Sequence, residues 1–148
     1  MDNIDCLEEY DKQKTKVLKY IIYKKRTERE VRQKFENTIE QEILEDIIEE
    51  LKENGYINDN SYIQRAIAEY IALKNLSMKE IKYKLFAKGL NNDIIDEYFS
   101  NNKDDLIDYE IQSIKNIYYK KQYSMDKEEI KQFLMKKGYQ MENIKEAL

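Results

Sequence analysis

The chain has 148 residues, 26 Lys and Arg against 30 Asp and Glu, one cysteine, and neither histidine nor proline. It therefore carries no imidazole base and no Cys/His metal cluster, and a single thiol cannot close an internal disulfide. With charged residues at 38% and hydrophobic residues at 41%, the composition suits a thin helical protein better than a thick globular core.

The first residues, Met1-Asp2-Asn3-Ile4-Asp5-Cys6, lack the basic and apolar regions of a secretory leader. No apolar run approaches the roughly 18 residues that a membrane span requires. A cytoplasmic protein without a membrane partner is expected, with residues 1–13 as an acidic N-terminal extension and Cys6 as an inert thiol.

From residue 14 onward, three copies of one helical unit are predicted. In unit one (14–59) a first helix over about Tyr10–Lys25 carries Val17, Leu18, Ile21 and Ile22 as its apolar stripe. Thr27-Glu28-Arg29-Glu30-Val31 then reads as a capping box, in which Thr27 takes the amide of Glu30 and Glu30 reaches back to the amide of Thr27. The second helix spans about Glu28–Glu36 and the third about Glu40–Asn54. The third stops at Gly55-Tyr56, and Asp59 is expected to cap the next helix. Asp59 with Gly55 and Tyr56 also allows a partner-contact loop, the less favoured reading.

Unit two (60–102) repeats the order. Its helices are predicted over about Asn60–Leu73, Met78–Lys88 and Asn92–Phe99, with Ser77-Met78-Lys79-Glu80-Ile81 as the box and Gly89-Leu90 as the stop. Unit three (103–148) has helices over about Lys103–Lys121, Lys127–Lys137 and Glu142–Leu148, with the box at Asp126-Lys127-Glu128-Glu129-Ile130 and the stop at Gly138-Tyr139. The boxes lie 50 and then 49 residues apart. At each of the last two stops, the residue after glycine should pack on the leucine before it, Leu90 on Leu85 and Tyr139 on Leu134. Units this small bury little alone, so an all-α, quasi-linear stack of three tandem three-helix repeats is expected.

Charge follows the repeat. Residues 14–34 hold nine bases and two acids, whereas residues 36–59 hold one base and nine acids. Residues 60–88 are again basic, residues 93–110 acidic and residues 111–137 basic. Packed side by side, such helices pair with each other. Stacked in register, they line up a basic face for nucleic acid or an acidic protein surface. Both readings stay open. The basic-face candidates are Arg26, Arg29 and Arg32, then Arg65, Lys74, Lys79, Lys82, Lys84 and Lys88, then Lys120 and Lys121, with Lys131 and Lys136 as weaker members. A sequence pI near 5.1 makes any contact with DNA weak and salt-sensitive. Tyr118-Tyr119-Lys120-Lys121 mixes rings and cations as single-strand binders do, but most of the 13 tyrosines lie on apolar stripes and are assigned to packing. Glu42, Glu45, Asp46, Glu49 and Glu50 encircle one helix instead of converging, so no catalytic carboxylate pair, cofactor or metal is expected.

The stretch Leu51-Lys52-Glu53-Asn54-Gly55-Tyr56-Ile57-Asn58-Asp59, followed by Tyr62-Ile63 and Tyr70-Ile71, resembles the RecX family of recombination regulators. So does Ser77…Glu80-Ile81…Leu85…Lys88-Gly89-Leu90, and Leu18…Tyr20…Arg26-Thr27…Glu30-Val31…Phe35 matches the family's first unit. The resemblance covers about residues 14–148 and rests on order and spacing. It departs at Leu73-Lys74-Asn75-Leu76, where the family often has an arginine and a Lys-Gly pair, and at Asn58-Asp59, where it has paired acids. It implies an elongated, curved array, monomeric, that binds RecA recombinase and its filament on single-stranded DNA and restrains recombinase and co-protease activity. A helical-repeat DNA-binding protein and a scaffold for an unrelated partner are the alternatives.

Overall fold

The structure, a computed structural model, describes residues 3–148. Among these residues the regular structure is all helix, with no strand. The helices are α1 (Asn3–Tyr23), α2 (Glu28–Phe35), α3 (Gln41–Glu53), α4 (Asp59–Leu73), α5 (Met78–Ala87), α6 (Asn92–Asn101), α7 (Lys103–Lys121), α8 (Lys127–Lys137) and α9 (Met141–Ala147).

The boundaries are set by the predicted chemistry. Thr27 Oγ1 accepts the Glu30 amide at 3.1 Å while Glu30 Oε1 accepts the Thr27 amide at 3.0 Å. Ser77 with Glu80 forms the same pair at 3.0 and 2.9 Å, and Asp126 with Glu129 at 2.9 and 3.2 Å. At the α8 stop, the Gly138 and Tyr139 amides donate to Met135 and Leu134 carbonyls, and α3 ends alike with Gly55 and Tyr56 donating to Lys52 and Leu51. Gly55, Gly89 and Gly138 all have φ between 81° and 97°, the left-handed region these stops require.

Two boundaries differ from expectation. Residues 1 and 2 of the expected acidic extension lie outside the described residues, and residues 3–13 continue α1 toward the N-terminus. Tyr10 holds this stretch to α3: its hydroxyl donates to the Glu50 carboxylate and to the Asp46 carbonyl, while Lys14 pairs with Glu50 at 2.6 Å. The segment is tied to α3 by polar contacts that an apolar-stripe reading does not register. The second difference is the α4 cap. Asn58, not Asp59, accepts the Ser61 amide, at 3.1 Å. Asp59 Oδ1 is turned instead to the first amide of α2, Glu28, at 3.0 Å.

The chain forms two compact units, residues up to Tyr62 with Lys88–Leu90, and residues 63–87 with 91–148. The first is built on Val17, Val31, Leu44, Ile47, Ile48 and Leu51, with Phe35 edge-on to Tyr20. The second buries Ile63, Ile67, Ile81, Leu85, Leu106, Ile114, Ile130 and Leu134, each at most 2% exposed.

One joint occurs in both units. In the first, Thr27 Oγ1 donates to the Lys88 carbonyl at 2.6 Å, 61 residues away. In the second, Ser77 Oγ donates to the Lys137 carbonyl at 2.8 Å, 60 residues away. Each hydroxyl thus accepts an amide from its own helix and donates to the terminal carbonyl of another. The glycine after that carbonyl lies against the same helix start: a Cβ on Gly89 would stand 2.6 Å from Arg29 Cβ, and one on Gly138 would stand 3.0 Å from Lys79 Cβ. An acid completes the first joint, Asp59 at the Glu28 amide, while in the second unit Glu110 Oε1 accepts the Gln140 amide at 2.9 Å. Among the described residues, Asp126 makes no such bond. A carboxylate is enough to cap α8, whereas a hydroxyl is needed where the cap must also donate.

Candidate binding surface

The proposed basic residues divide into those engaged by the fold and those left facing outward. Arg26, between α1 and α2, lays its guanidinium 4.0 Å from the Tyr20 ring centroid, with a buried Nε that has no hydrogen-bond partner among the described residues. Arg32 is taken up by acids: Nε meets Glu28 at 3.1 Å, and the guanidinium fork meets the Glu45 carboxylate. Lys52 joins the same cluster at 2.8 Å from Glu28. Burial pushes the Glu28 carboxyl up, but Lys52 and Arg32 outweigh it and hold the pKa below the ordinary carboxylate value. Of this arginine trio only Arg29 is exposed, its stem lying against Gly89.

Lys88 is half-buried and gives its carbonyl to Thr27. Lys74 sits in the α4–α5 turn at φ 50°, exposed, its carbonyl taken by the Asn116 amide group. Arg65 on α4, Lys84 on α5, Lys120 on α7 and Lys136 on α8 are exposed. Lys121 covers the Phe133 ring at 4.3 Å, and Lys131 pairs with Glu128 at 3.7 Å. Gly55 and exposed Tyr56 form the α3 stop, where Asp59 is held by the Glu28 amide.

The fold brings two of the candidates to one place. Lys79 and Lys82 of α5 stand with Lys103 of α7 around a cavity of about 380 Å³. Met78, Phe99, Leu106 and Ile107 supply its apolar lining, and Gly138 borders it. Lys82 Nζ lies 4.7 Å from the Phe99 ring centroid, a cation–π contact. All three lysines are exposed, and among the described residues none has an acid within ion-pair distance. A concave apolar floor with convergent cations accommodates a ligand that is apolar at its centre and anionic at its edges. Lys103 and Phe99 were missed from sequence because Lys103 is the lone base of the acidic block 93–110, and block counting averages it away. Its position at the first turn of α7, one residue after Asn102, was the available signal.

These features define an all-α protein held by recurring hydroxyl-capped joints, with an unpaired lysine cluster over an apolar cavity. No protein-family model matches the chain. It is 31% identical to the regulatory protein RecX of Lactococcus lactis subsp. cremoris (strain MG1363) over 94% of its own length and 55% of the relative's. It is 30% identical to the regulatory protein RecX of Clostridium acetobutylicum over 97% of its length and 72% of the relative's. The chain thus spans just over half the length of the Lactococcus relatives. A crystal structure of RecX from Lactobacillus salivarius superposes with a TM-score of 0.80 at 22% identity, covering 95% of each chain. A second RecX crystal structure gives 0.79 at 18% identity, over 99% of this chain and 79% of that one. The chain belongs to the RecX family of regulatory proteins.

Proposed function

We propose that this chain binds the RecA recombinase and its filament on single-stranded DNA and restrains recombinase and co-protease activity, in DNA repair and the SOS response. It acts by stoichiometric binding, as a monomer in the cytoplasm, with no catalytic step of its own. The observation that carries this reading is the likeness to a RecX regulatory protein over 97% of the chain, since regulation of RecA is what the RecX resemblance implies. The composition supports it, because a chain without histidine, and without a cluster of metal-ligating residues among the described ones, offers binding more readily than acid–base chemistry. In the same reading, residues 14–59, 60–102 and 103–148 are successive repeats, and the joints at Thr27 and Ser77 support that division.

The contact surface consists of exposed cations that the fold leaves without acids, Arg29, Lys79, Lys82 and Lys120 foremost. With a formal net charge of −4, the chain gains little from naked phosphates at moderate salt. Co-sedimentation with RecA-coated single-stranded DNA, against the same DNA bare, tests the proposal. The chain should travel with the coated strand and stay in the supernatant with the bare one. Equal recovery with both would replace the proposal by plain DNA binding.

A further inference from the structure

We infer that the cavity bordered by α5, α6 and α7 is a docking pocket for an acidic peptide segment that carries one apolar anchor side chain. The floor of Met78, Phe99, Leu106 and Ile107 is apolar and comes from three helices. An apolar side chain entering it leaves water against carbon on several sides, which is the arrangement that gives an anchor residue its affinity. The rim supplies the second half of the recognition. Lys79, Lys82 and Lys103 are three ammonium groups with no acid in ion-pair range among the described residues, on a chain that elsewhere pairs Lys14, Lys52 and Lys137 with glutamates. Carboxylates flanking the anchor would take those places.

The lining favours a peptide over a nucleic-acid strand on two counts. Bases stack on open ring faces, but Phe99 is only 8% exposed and Lys82 already covers its ring. The cations lining it are lysines, with Gln140 as the other polar side chain, whereas planar phosphate recognition draws on arginine forks. Lysines on flexible stems follow carboxylates spaced along a peptide. The net charge of −4 for the whole chain repels an acidic segment in general, so the attraction is local and weakens with salt.

The pocket goes beyond the recombinase proposal: it shares Lys79 and Lys82 with the proposed filament contact, but its test does not depend on that contact. The probe is a fluorescein-labelled peptide of one phenylalanine flanked on each side by glutamates, titrated into the full chain and followed by anisotropy and by methyl NMR of Met78, Leu106 and Ile107. The phenylalanine peptide should bind and shift those methyls, and a twin with serine in place of phenylalanine should bind about tenfold more weakly. The double variant Lys82→Glu/Lys103→Glu, with unchanged circular dichroism, should also lose about tenfold in affinity for the phenylalanine peptide. Absence of peptide binding, equal binding of the twins, or undiminished binding by the variant each overturns the inference. So does an oligothymidylate that shifts the same methyls at lower concentration than the peptide. The assay contains no recombinase, so its failure leaves the filament proposal standing, and failure of that proposal leaves the pocket standing.

Discussion

Thr27 and Ser77 each occupy a position that sequence reasoning identified for half of its chemistry. The pattern of a small polar residue followed three places later by glutamate was enough to predict the caps. The donation from each hydroxyl to a carbonyl about sixty residues away was not legible, because nothing local specifies that partner. The hint was the choice of residue: hydroxyls at 27 and 77, a carboxylate at 126. Thr27→Ala removes both the cap and the buried donor, so urea unfolding should show a loss of about 1–2 kcal/mol. Thr27→Ser should retain most of it, and equal losses in the two variants would argue against the hydroxyl. Glu110 allows a pH test. Burial raises its pKa from 4.5, outweighing the Gln140 amide that favours the charged form. A carboxyl raised on folding holds its proton more tightly in the folded chain, so its contribution is full below about pH 4.5 and is lost as pH rises through the folded value. Glu110→Gln should therefore gain stability relative to the parent chain as pH climbs above 4.5, read from urea melts across that range. A difference independent of pH would show that burial does not set the titration of Glu110.

At the scale of elements, helices with a capping box, a glycine stop and an apolar stripe were legible almost to the residue. Lys127–Lys137, with its box and glycine stop, matches the predicted limits, and so does Lys103–Lys121 on its apolar stripe alone. The start of α1 was not, since the helix begins at Asn3 while the apolar stripe that marks it begins only at Val17. The assignment of Asp59 to the α4 cap failed for another reason: Asn58 beside it serves the local amide, which frees Asp59 for α2. The glycine stops look alike in sequence and differ in space. Gly55 has nothing within 4 Å of where a Cβ would stand, so Gly55→Ala pays only for the left-handed backbone, about 1 kcal/mol. Gly89→Ala adds a clash at 2.6 Å with the Arg29 stem and should cost about 2–3 kcal/mol. Denaturant midpoints of the two variants, measured side by side, check the order, and similar midpoints would contradict the close approach at Gly89.

For the whole molecule, the alternation of basic and acidic blocks left pairing and binding both open, with pairing favoured, and the structure divides the cations between them residue by residue. Arg32, Lys14, Lys52 and Lys137 pair with acids, whereas Arg29, Lys79, Lys82 and Lys103 have none in range among the described residues. Counting charge along the chain could not make that division, because it depends on which side of each helix meets an acidic neighbour. Charge reversal should separate the two groups. Arg32→Glu sets a third carboxylate beside Glu28 and Glu45 and should lower the melting temperature, whereas Arg29→Glu should leave it within about a degree, as surface changes do. If Arg29 belongs to the filament contact, the second variant should nevertheless lose regulation. The most direct measurement is a titration of the chain into RecA hydrolysing ATP on single-stranded DNA. Hydrolysis should fall progressively and reach its floor at or below one chain per recombinase protomer. A rate that stays flat through a molar excess of the chain would contradict the proposal that this protein restrains the filament.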